Sequence, residues 1–391
     1  MKIGVDASCW GNKRGFGRFT RELLEALIEI DEENEYLFFI DSETSADEIP
    51  DGVRRISAKT SESQVEAASA DGRRSVKDLW AMSREVYRHH IDVFFFPAVY
   101  SYFPILNRTK ILLTLHDVIA DHHPSLIFPN AQSKYLWKLK QNVAIKQADM
   151  IATVSEYSKK EIVKYFRLPE SKIRLISEAA RPVFKVLPTS NGFVSTLEKH
   201  GLSRDEHFLL YVGGISPHKN LNTLIDAFKR IVDSGTEDRL KLVLVGDYKD
   251  DPFFSAYPSL MAKVSDLELE EKVVFTGFIP DEDLAYLYNA ATLLVFPSLE
   301  EGFGLPAIEA MSCGTPVVAS NTGSLPEVLG SVGRYFDPMN SEEMAAVIGN
   351  VLRDESARQQ MKEDGLKRSQ NFLWKRAAED TLAIFRELER K

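Results

Sequence analysis

The sequence predicts an α/β protein made of two doubly wound, parallel-sheet domains. Near-continuous apolar runs recur along the chain, separated by helix-length segments, which is the pattern of parallel strands covered on both faces. The alternation forms two series, interrupted at residues 181–205 by a stretch with two prolines, two glycines and little strand character. The 391 residues, 44% of them hydrophobic, suffice for two such cores.

The first series reads as strands at residues 2–7 (KIGVDA), 36–41 (YLFFID), 92–97 (DVFFFP), 110–117 (KILLTLHD), 150–155 (MIATVS) and 172–177 (KIRLIS). Residues Ser42 to Asp71, rich in Ser, Asp, Glu and Ala, read as loops around one short strand at 53–58 (VRRISA). The second series reads as strands at 208–214 (FLLYVGG), 240–247 (LKLVLVGD), 272–278 (KVVFTGF), 292–298 (TLLVFPS) and 316–320 (PVVAS). The expected domains are therefore 1–180 and 200–373, with a boundary in the region 178–205. A long helix over 372–391 closes the chain, with an apolar stripe at Leu382, Phe385 and Leu388. A cleft between two such domains is the default place for a ligand.

Composition excludes several classes. A net charge of −10 argues against a general nucleic-acid binder, whose affinity comes from neutralising phosphates. No apolar run reaches 18 residues and the start, MKIGVDASCW, turns polar within six, so neither a spanning helix nor a signal peptide is expected and a cytoplasmic location follows. Two cysteines, Cys9 and Cys313, give no disulfide framework, and the pairs His89-His90 and His122-His123 lack a third ligand at metal spacing. Residues 130–149 gather Lys134, Lys138, Lys140 and Lys146 with Tyr135 and Trp137, the composition of an interfacial amphipathic helix; the alternative is a core-facing helix with a lysine-bearing outer side.

The densest chemistry lies in EEGFGLPAIEAMSCGTP, residues 300–316. Glu301 follows a strand, Glu309 falls in about the first turn of a short helix, Pro306 suits its start, and Gly314 with Pro316 suits its end. The amides of Gly302, Phe303, Gly304 and Leu305 lead into that helix N-terminus, where an anion is favoured. Carboxylates beside a phosphate site suit hydroxyls, so the segment points to a ligand with phosphate and polyol character. In YVGGISPHKN, Gly213 and Gly214 follow a strand and Lys219 enters a helix, where the dipole disfavours a cation unless an anion is bound. In TLHDV, His116 and Asp117 stand at the carboxyl end of a strand. GNKRGFGRFTREL (11–23) opens a helix at about Arg18, with Gly15 and Gly17 placed for close approach to a ligand; Thr20 stands where a dinucleotide fingerprint needs its third glycine, which weakens an NAD-dependent oxidoreductase as the rival function. PDEDL (280–284) reads as an N-cap with an acidic first turn.

Taken together, GFGRFTREL, LHD, TVSEYSK, YVGGISPHKN, VVFTGFI and EEGFGLPAIEAMSCGTPVVAS resemble, in order and spacing, the retaining glycosyltransferases of the GT-B fold, family four. The resemblance spans nearly the whole chain. It implies two Rossmann-like domains facing across a cleft, with an acceptor-side first domain, a donor-side second domain and a terminal helix (374–391) crossing back to the first. It further implies that Lys219 contacts the donor diphosphate and Glu309 the ribose. Glu301 and the amides of Phe303 and Gly304 would hold the transferred sugar, and the amide of Leu305 would face phosphate. His116 would meet the sugar near the reacting carbon, Gly17 would let the first loop approach the diphosphate, and the backbone around Ile279 would read the base. Two departures stand out. Gly214 occupies a place where many members carry arginine, leaving more of the charge to Lys219, with Arg14 or Arg18 as helpers, and SEAARP (177–182) replaces the usual Asn-Gly before the second domain.

The expected reaction is hexosyl transfer with retention, from a nucleotide-sugar co-substrate to a saccharide or lipid-linked saccharide, without a cofactor or metal. UDP-glucose or another UDP-hexose is the first expectation for the donor and GDP-mannose the alternative; envelope or exopolysaccharide synthesis is the expected pathway. The 130–149 helix is the expected peripheral contact with the inner face of the membrane.

Overall fold

The computed structural model describes residues 1–391 except 13, 43, 45–48, 62–74, 189–190, 204–205, 236, 238, 249–254 and 391. Its strands are β1 (Lys2–Asp6), β2 (Glu35–Ile40), β3 (Arg54–Ser57), β4 (Val93–Phe96), β5 (Lys110–Thr114), β6 (Met150–Thr153), β7 (Ile173–Leu175), β8 (Phe208–Val212), β9 (Lys241–Val245), β10 (Val273–Gly277), β11 (Leu293–Phe296), β12 (Val317–Ser320) and β13 (Arg334–Phe336). Among the described residues, the helices of nine residues or more are α1 (Gly15–Ile30), α2 (Val76–Tyr87), α3 (Ala131–Gln147), α4 (Glu156–Phe166), α5 (Asn191–Lys199), α6 (Leu221–Asp233), α7 (Tyr257–Asp266), α8 (Asp281–Ala290), α9 (Leu305–Cys313), α10 (Ser341–Arg353), α11 (Glu355–Ser369) and α12 (Trp374–Glu389). Contacts divide the chain into two compact units, residues 1–178 with 373–391 and residues 179–372.

The first unit is built on a sheet of order β3-β2-β1-β4-β5-β6-β7 whose pairs are all parallel. Its central strand, VFFF in β4, is wholly buried, as a strand covered on both faces must be. Phe94 and Phe96 join Met82 and Val86 of α2 and Ala144 and Ile145 of α3 in one cluster, so both helices lie on one side of the sheet. Phe95 points the other way and meets Phe385 of α12 edge-on at 5.8 Å. Glu387 of α12 accepts two hydrogen bonds from the Arg174 guanidinium, at 3.0 and 2.8 Å. Within Ser42–Asp71 the short strand is β3, while residues 43, 45–48 and 62–71 lie outside the described residues.

The second unit has the order β10-β9-β8-β11-β12-β13, again parallel throughout. The chain runs outward from β8 through β9 to β10, then returns to place β11 on the other side of β8. The β8/β11 junction is thus the topological switch point, where ligands of such sheets bind beyond the carboxyl ends of the strands. Residues expected as a linker pack here instead: Arg181 pairs with Asp281 at 2.7 Å, Leu187 N donates to Asn289 Oδ1 at 2.9 Å, and Phe184 meets Tyr288 edge-on. The buried Phe184 ring gives the segment its apolar anchor.

Candidate functional site

Strand β11, LLVF, is completely buried and delivers residues 297–304 to the switch point. The loop closes at Gly304, which adopts φ 102°, a left-handed conformation; a Cβ there would lie 2.9 Å from Leu325 Cδ2. Helix α9 then starts at Leu305 with Pro306 in its second position, and ends at Gly314 with φ 77°. The amides of Phe303, Gly304 and Leu305 donate to no other described residue, so three N–H groups stay open at a helix N-terminus. The loop is braced from behind, because Ser324 N donates to Glu301 O at 3.1 Å and Ser324 Oγ to Phe303 O at 2.8 Å. Phe303 itself is buried, its ring edge-on to Phe372.

The loop after β8 comes alongside. Pro217–Lys219 forms a single 3-10 turn, and Asn220, at φ 59°, starts α6. Its side-chain amide donates to Pro297 O at 3.0 Å and Pro338 O at 2.7 Å, while Leu299 N donates to His218 O at 3.0 Å, so the two loops are laced together. Lys219 Nζ lies 2.6 Å from Glu301 Oε1, with the two side chains 18% and 10% exposed. The cation expected to need a bound anion at a helix start thus has Glu301 as its counter-charge. Two groups 82 positions apart form one charge-assisted pair beside the open amides. Burial, then the Glu301 charge, raises the phenol of nearby Tyr211 well above its usual pKa, and its hydroxyl donates to Gly214 O at 2.7 Å. Gly214 offers only this carbonyl where an arginine was expected, and Arg14 and Arg18 belong to the first unit. Gly213 is pressed by neighbours: a Cβ on it would lie 2.7 Å from Tyr211 Oη, and a Cβ on Gly246 would lie 2.0 Å from its carbonyl oxygen.

Glu309 sits in the second turn of α9 and is only 1% exposed. Its Oε2 accepts from Tyr288 Oη at 2.8 Å, and Tyr288 is fully buried on α8. Burial, then the Glu309 charge, pushes the Cys313 thiol far up. Ile279, just past β10, is buried, leaving its backbone as the group it can offer. In α8 the first turn is acidic, with Asp281, Glu282 and Asp283, but no side chain caps it; Asp281 goes to Arg181, and Asp283 to Lys199 and His200.

In the first unit His116 lies past β5, held on three sides. Its Nε2 is 3.0 Å from Pro97 O, its Nδ1 is 3.5 Å from Glu178 Oε1, and Phe19 meets the ring edge-on at 4.7 Å. A carbonyl oxygen can only accept, so Nε2 carries a proton and Nδ1 faces the carboxylate. The ring is thereby fixed in orientation. The helix start requires correction: α1 opens at Gly15 rather than near Arg18, and Gly17 lies inside it, where a Cβ would be 2.1 Å from Asn12 O. Sequence reasoning missed Glu178, Tyr288, Asn220 and Ser324. The substitution of SEAARP for Asn-Gly was the one available signal for Glu178, and the HKN tripeptide the one for Asn220.

Residues 14–179 match glycosyltransferase family 4 and residues 195–368 match glycosyl transferases group 1. The chain is 33% identical over 280 residues to O-antigen chain mannosyltransferase B of Escherichia coli, covering 71% of this chain and 70% of that one. It is also 33% identical over 271 residues to the serotype-specific mannosyltransferase WbdA of Escherichia coli, covering 69% of this chain but 32% of the longer relative. In fold it is similar to sucrose-phosphate synthase from Thermosynechococcus elongatus, with a TM-score of 0.74, 21% identity and 99% of both chains covered. Two parallel sheets dressed with helices and this likeness establish the two-domain GT-B architecture.

Proposed function

The chain belongs to glycosyltransferase family 4, and from that premise we propose that it is a mannosyltransferase, moving the sugar of GDP-mannose onto a saccharide or lipid-linked saccharide during envelope polysaccharide synthesis. The observation that carries the site is the Lys219–Glu301 pair beside the open amides of α9 at the β8/β11 junction. The mannose donor takes precedence over the UDP-glucose first expected, because both relatives named above are mannosyltransferases.

In this reading the donor diphosphate lies on the Leu305 amide and the Lys219 ammonium, and the sugar hydroxyls on Glu301 and the amides of Phe303 and Gly304. Glu309 takes the ribose and the backbone at Ile279 the base. The bond from the anomeric carbon to the diphosphate oxygen breaks, and its electron pair leaves with GDP. The acceptor oxygen bonds to that carbon from the same face, and its proton passes to the leaving oxygen. Lys219 and the helix end stabilise the charge that grows on the diphosphate, which is where preorganised groups act most strongly. Retention and independence of metal and cofactor belong to the proposal. So do a cytoplasmic location and membrane contact through the basic helix α3.

Calorimetry with GDP-mannose, UDP-glucose, ADP-glucose and NAD, followed by a transfer assay on the tightest binder, tests it. Binding of GDP-mannose, with GDP released in step with saccharide elongation and unaffected by EDTA, is the expected outcome. Selective binding of UDP-glucose would overturn the donor, an inverted anomer by NMR the mechanism, and binding of NAD alone the function.

A further inference from the structure

We propose that a part-exposed row of aromatic rings at the switch point of the first sheet takes a neutral pyranose of the acceptor. This names the chemistry by which the acceptor is held and rests on the reading of the chain as a glycosyltransferase. In the order β3-β2-β1-β4-β5-β6-β7 the chain runs outward from β1 and then returns to place β4 on its other side, so β1/β4 is the junction beyond whose carboxyl ends a ligand binds. Each of these two strands sends one ring there. Phe16, in the first turn of α1 after β1, stacks on Tyr100, in the turn after β4, with centroids 4.7 Å and planes 26° apart. Tyr100 is in turn 5.2 Å from Trp137 of α3, and Trp137 is 6.2 Å from Phe128. The row is not core. Phe94, Phe96 and Phe103 inside the unit are completely covered, whereas Phe16, Tyr100, Phe128 and Trp137 are each half-buried. Phe16 stays outside although Phe19, three positions on, is sealed and meets His116 edge-on. Contiguous part-exposed rings suit the C–H face of a pyranose, because ring faces carry negative potential and C–H groups polarised by neighbouring oxygens carry the complementary positive one.

Charge decides the class of ligand. Lys140, expected on the outer side of α3, turns inward: its Nζ donates to Tyr100 O at 3.1 Å and lies 4.7 Å from the centroid of the Trp137 ring. Burial first, and then the charge of Asp117, hold the Tyr100 phenol above its usual pKa, with Arg14 opposing and Asp121 adding to the effect. Two cations and two carboxylates thus border the row and cancel. An anionic group on the ligand gains nothing net from them, while hydroxyls find both donors and acceptors. The two carboxylates are held in place, Asp117 by Ile119 N at 2.9 Å and Asp121 by Gln141 Nε2 at 3.0 Å. Apolar rings with a few fixed polar groups around them are the make-up of a small-molecule site.

Saturation-transfer NMR on the full chain, irradiating aromatic protons, tests this with neutral mannose and glucose trisaccharides and with mannose 1-phosphate as probes. The neutral trisaccharides should receive saturation on their ring C–H groups, and Phe16→Ala or Trp137→Ala should remove most of it. With the trisaccharide that binds used as acceptor, each of these variants should raise the acceptor KM on the order of tenfold and leave the Kd for GDP-mannose unchanged. Trp137→Phe, which keeps a ring, should stay close to the parent. Trp137→Leu, apolar but without a ring, should fail as Trp137→Ala does while keeping the melting temperature of Trp137→Phe, which separates stacking from filling. No saturation of any neutral trisaccharide, or a parental KM in Trp137→Leu, overturns the proposal. So does preferential binding of mannose 1-phosphate that Lys140→Met abolishes, since the site would then take an anion. Trisaccharide binding that the ring variants lose, in a chain that binds no GDP-mannose, overturns the enzymatic reading and leaves the saccharide site standing.

Discussion

At the carboxyl edge of the second sheet, a lysine and a glutamate from neighbouring loops neutralise each other beside open backbone amides, on turns fixed by left-handed residues at 220 and 304. At the same edge of the first sheet, His116 is already saturated, between a carbonyl, a carboxylate and a phenylalanine edge. One strand plan thus supports two kinds of edge. On the proposed reading, the second holds charges that a ligand takes over one by one: a diphosphate for the ammonium and hydroxyls for the carboxylate. The first presents a group whose partners are all supplied by the protein, which suits a fixed surface against which something is placed.

The comparison breaks most severely if the exchangeable pair is removed. Lys219→Ala and Glu301→Ala should each lower turnover by about a hundredfold to a thousandfold, the scale of losing one preorganised stabilising group. Each single variant also leaves its partner, 18% or 10% exposed, without a counter-charge, so each should lose roughly 1–3 kcal/mol of stability. The double variant Lys219→Met/Glu301→Gln should recover much of that stability and none of the turnover. Thermal melts beside GDP-release rates separate the two effects, and near-normal rates in both single variants would remove this pair from the site.

The turn that opens the amides comes next. Gly304→Ala places a Cβ at φ 102° and 2.9 Å from Leu325, and should cost about 2 kcal/mol of stability together with donor affinity measured by calorimetry. On the first edge, Glu178→Gln should reduce kcat on the order of tenfold, because a misplaced group costs rate more than binding. Donor Kd should be unchanged, and the 15N chemical shifts of the His116 ring should report the altered contact at Nδ1. A shift of Kd with kcat intact would make Glu178 a binding group instead.

Among the described residues, twelve of the thirteen strands were legible in the sequence, and the exception explains itself. Strand β13 is three residues, RYF, too short for any periodicity. The start of α1 was misplaced because its glycines read as loop, although Phe19, Leu23 and Leu27 already mark its buried side. Site residues reached from one strand end were placed well: Lys219 after β8, Glu301 after β11, His116 after β5. What stayed hidden was pairing. The Lys219–Glu301 contact depends on β8 and β11 being neighbours, which the order reversal creates and a linear reading does not display. Glu178 was visible only as a departure from a family pattern, since its meaning needs β5 and β7 to end on the same edge.

Tyr288 is the finest of these hidden partners and carries the smallest expected effect. Glu309 is almost wholly buried, and a carboxylate in that position stays ionised only while donors reach it. Tyr288→Phe removes the hydroxyl that donates to Glu309 from a fully buried site while keeping the ring. The loss should be about 1 kcal/mol of stability, the net worth of one such hydrogen bond. If Glu309 binds the ribose, the freer carboxylate should weaken GDP-mannose severalfold while leaving kcat within a factor of two. Glu309→Gln should then weaken it further, and Tyr288→Phe added to Glu309→Gln should change little more. Additive effects of the two substitutions on Kd would mean that Tyr288 supports helix packing and does not act through the carboxylate.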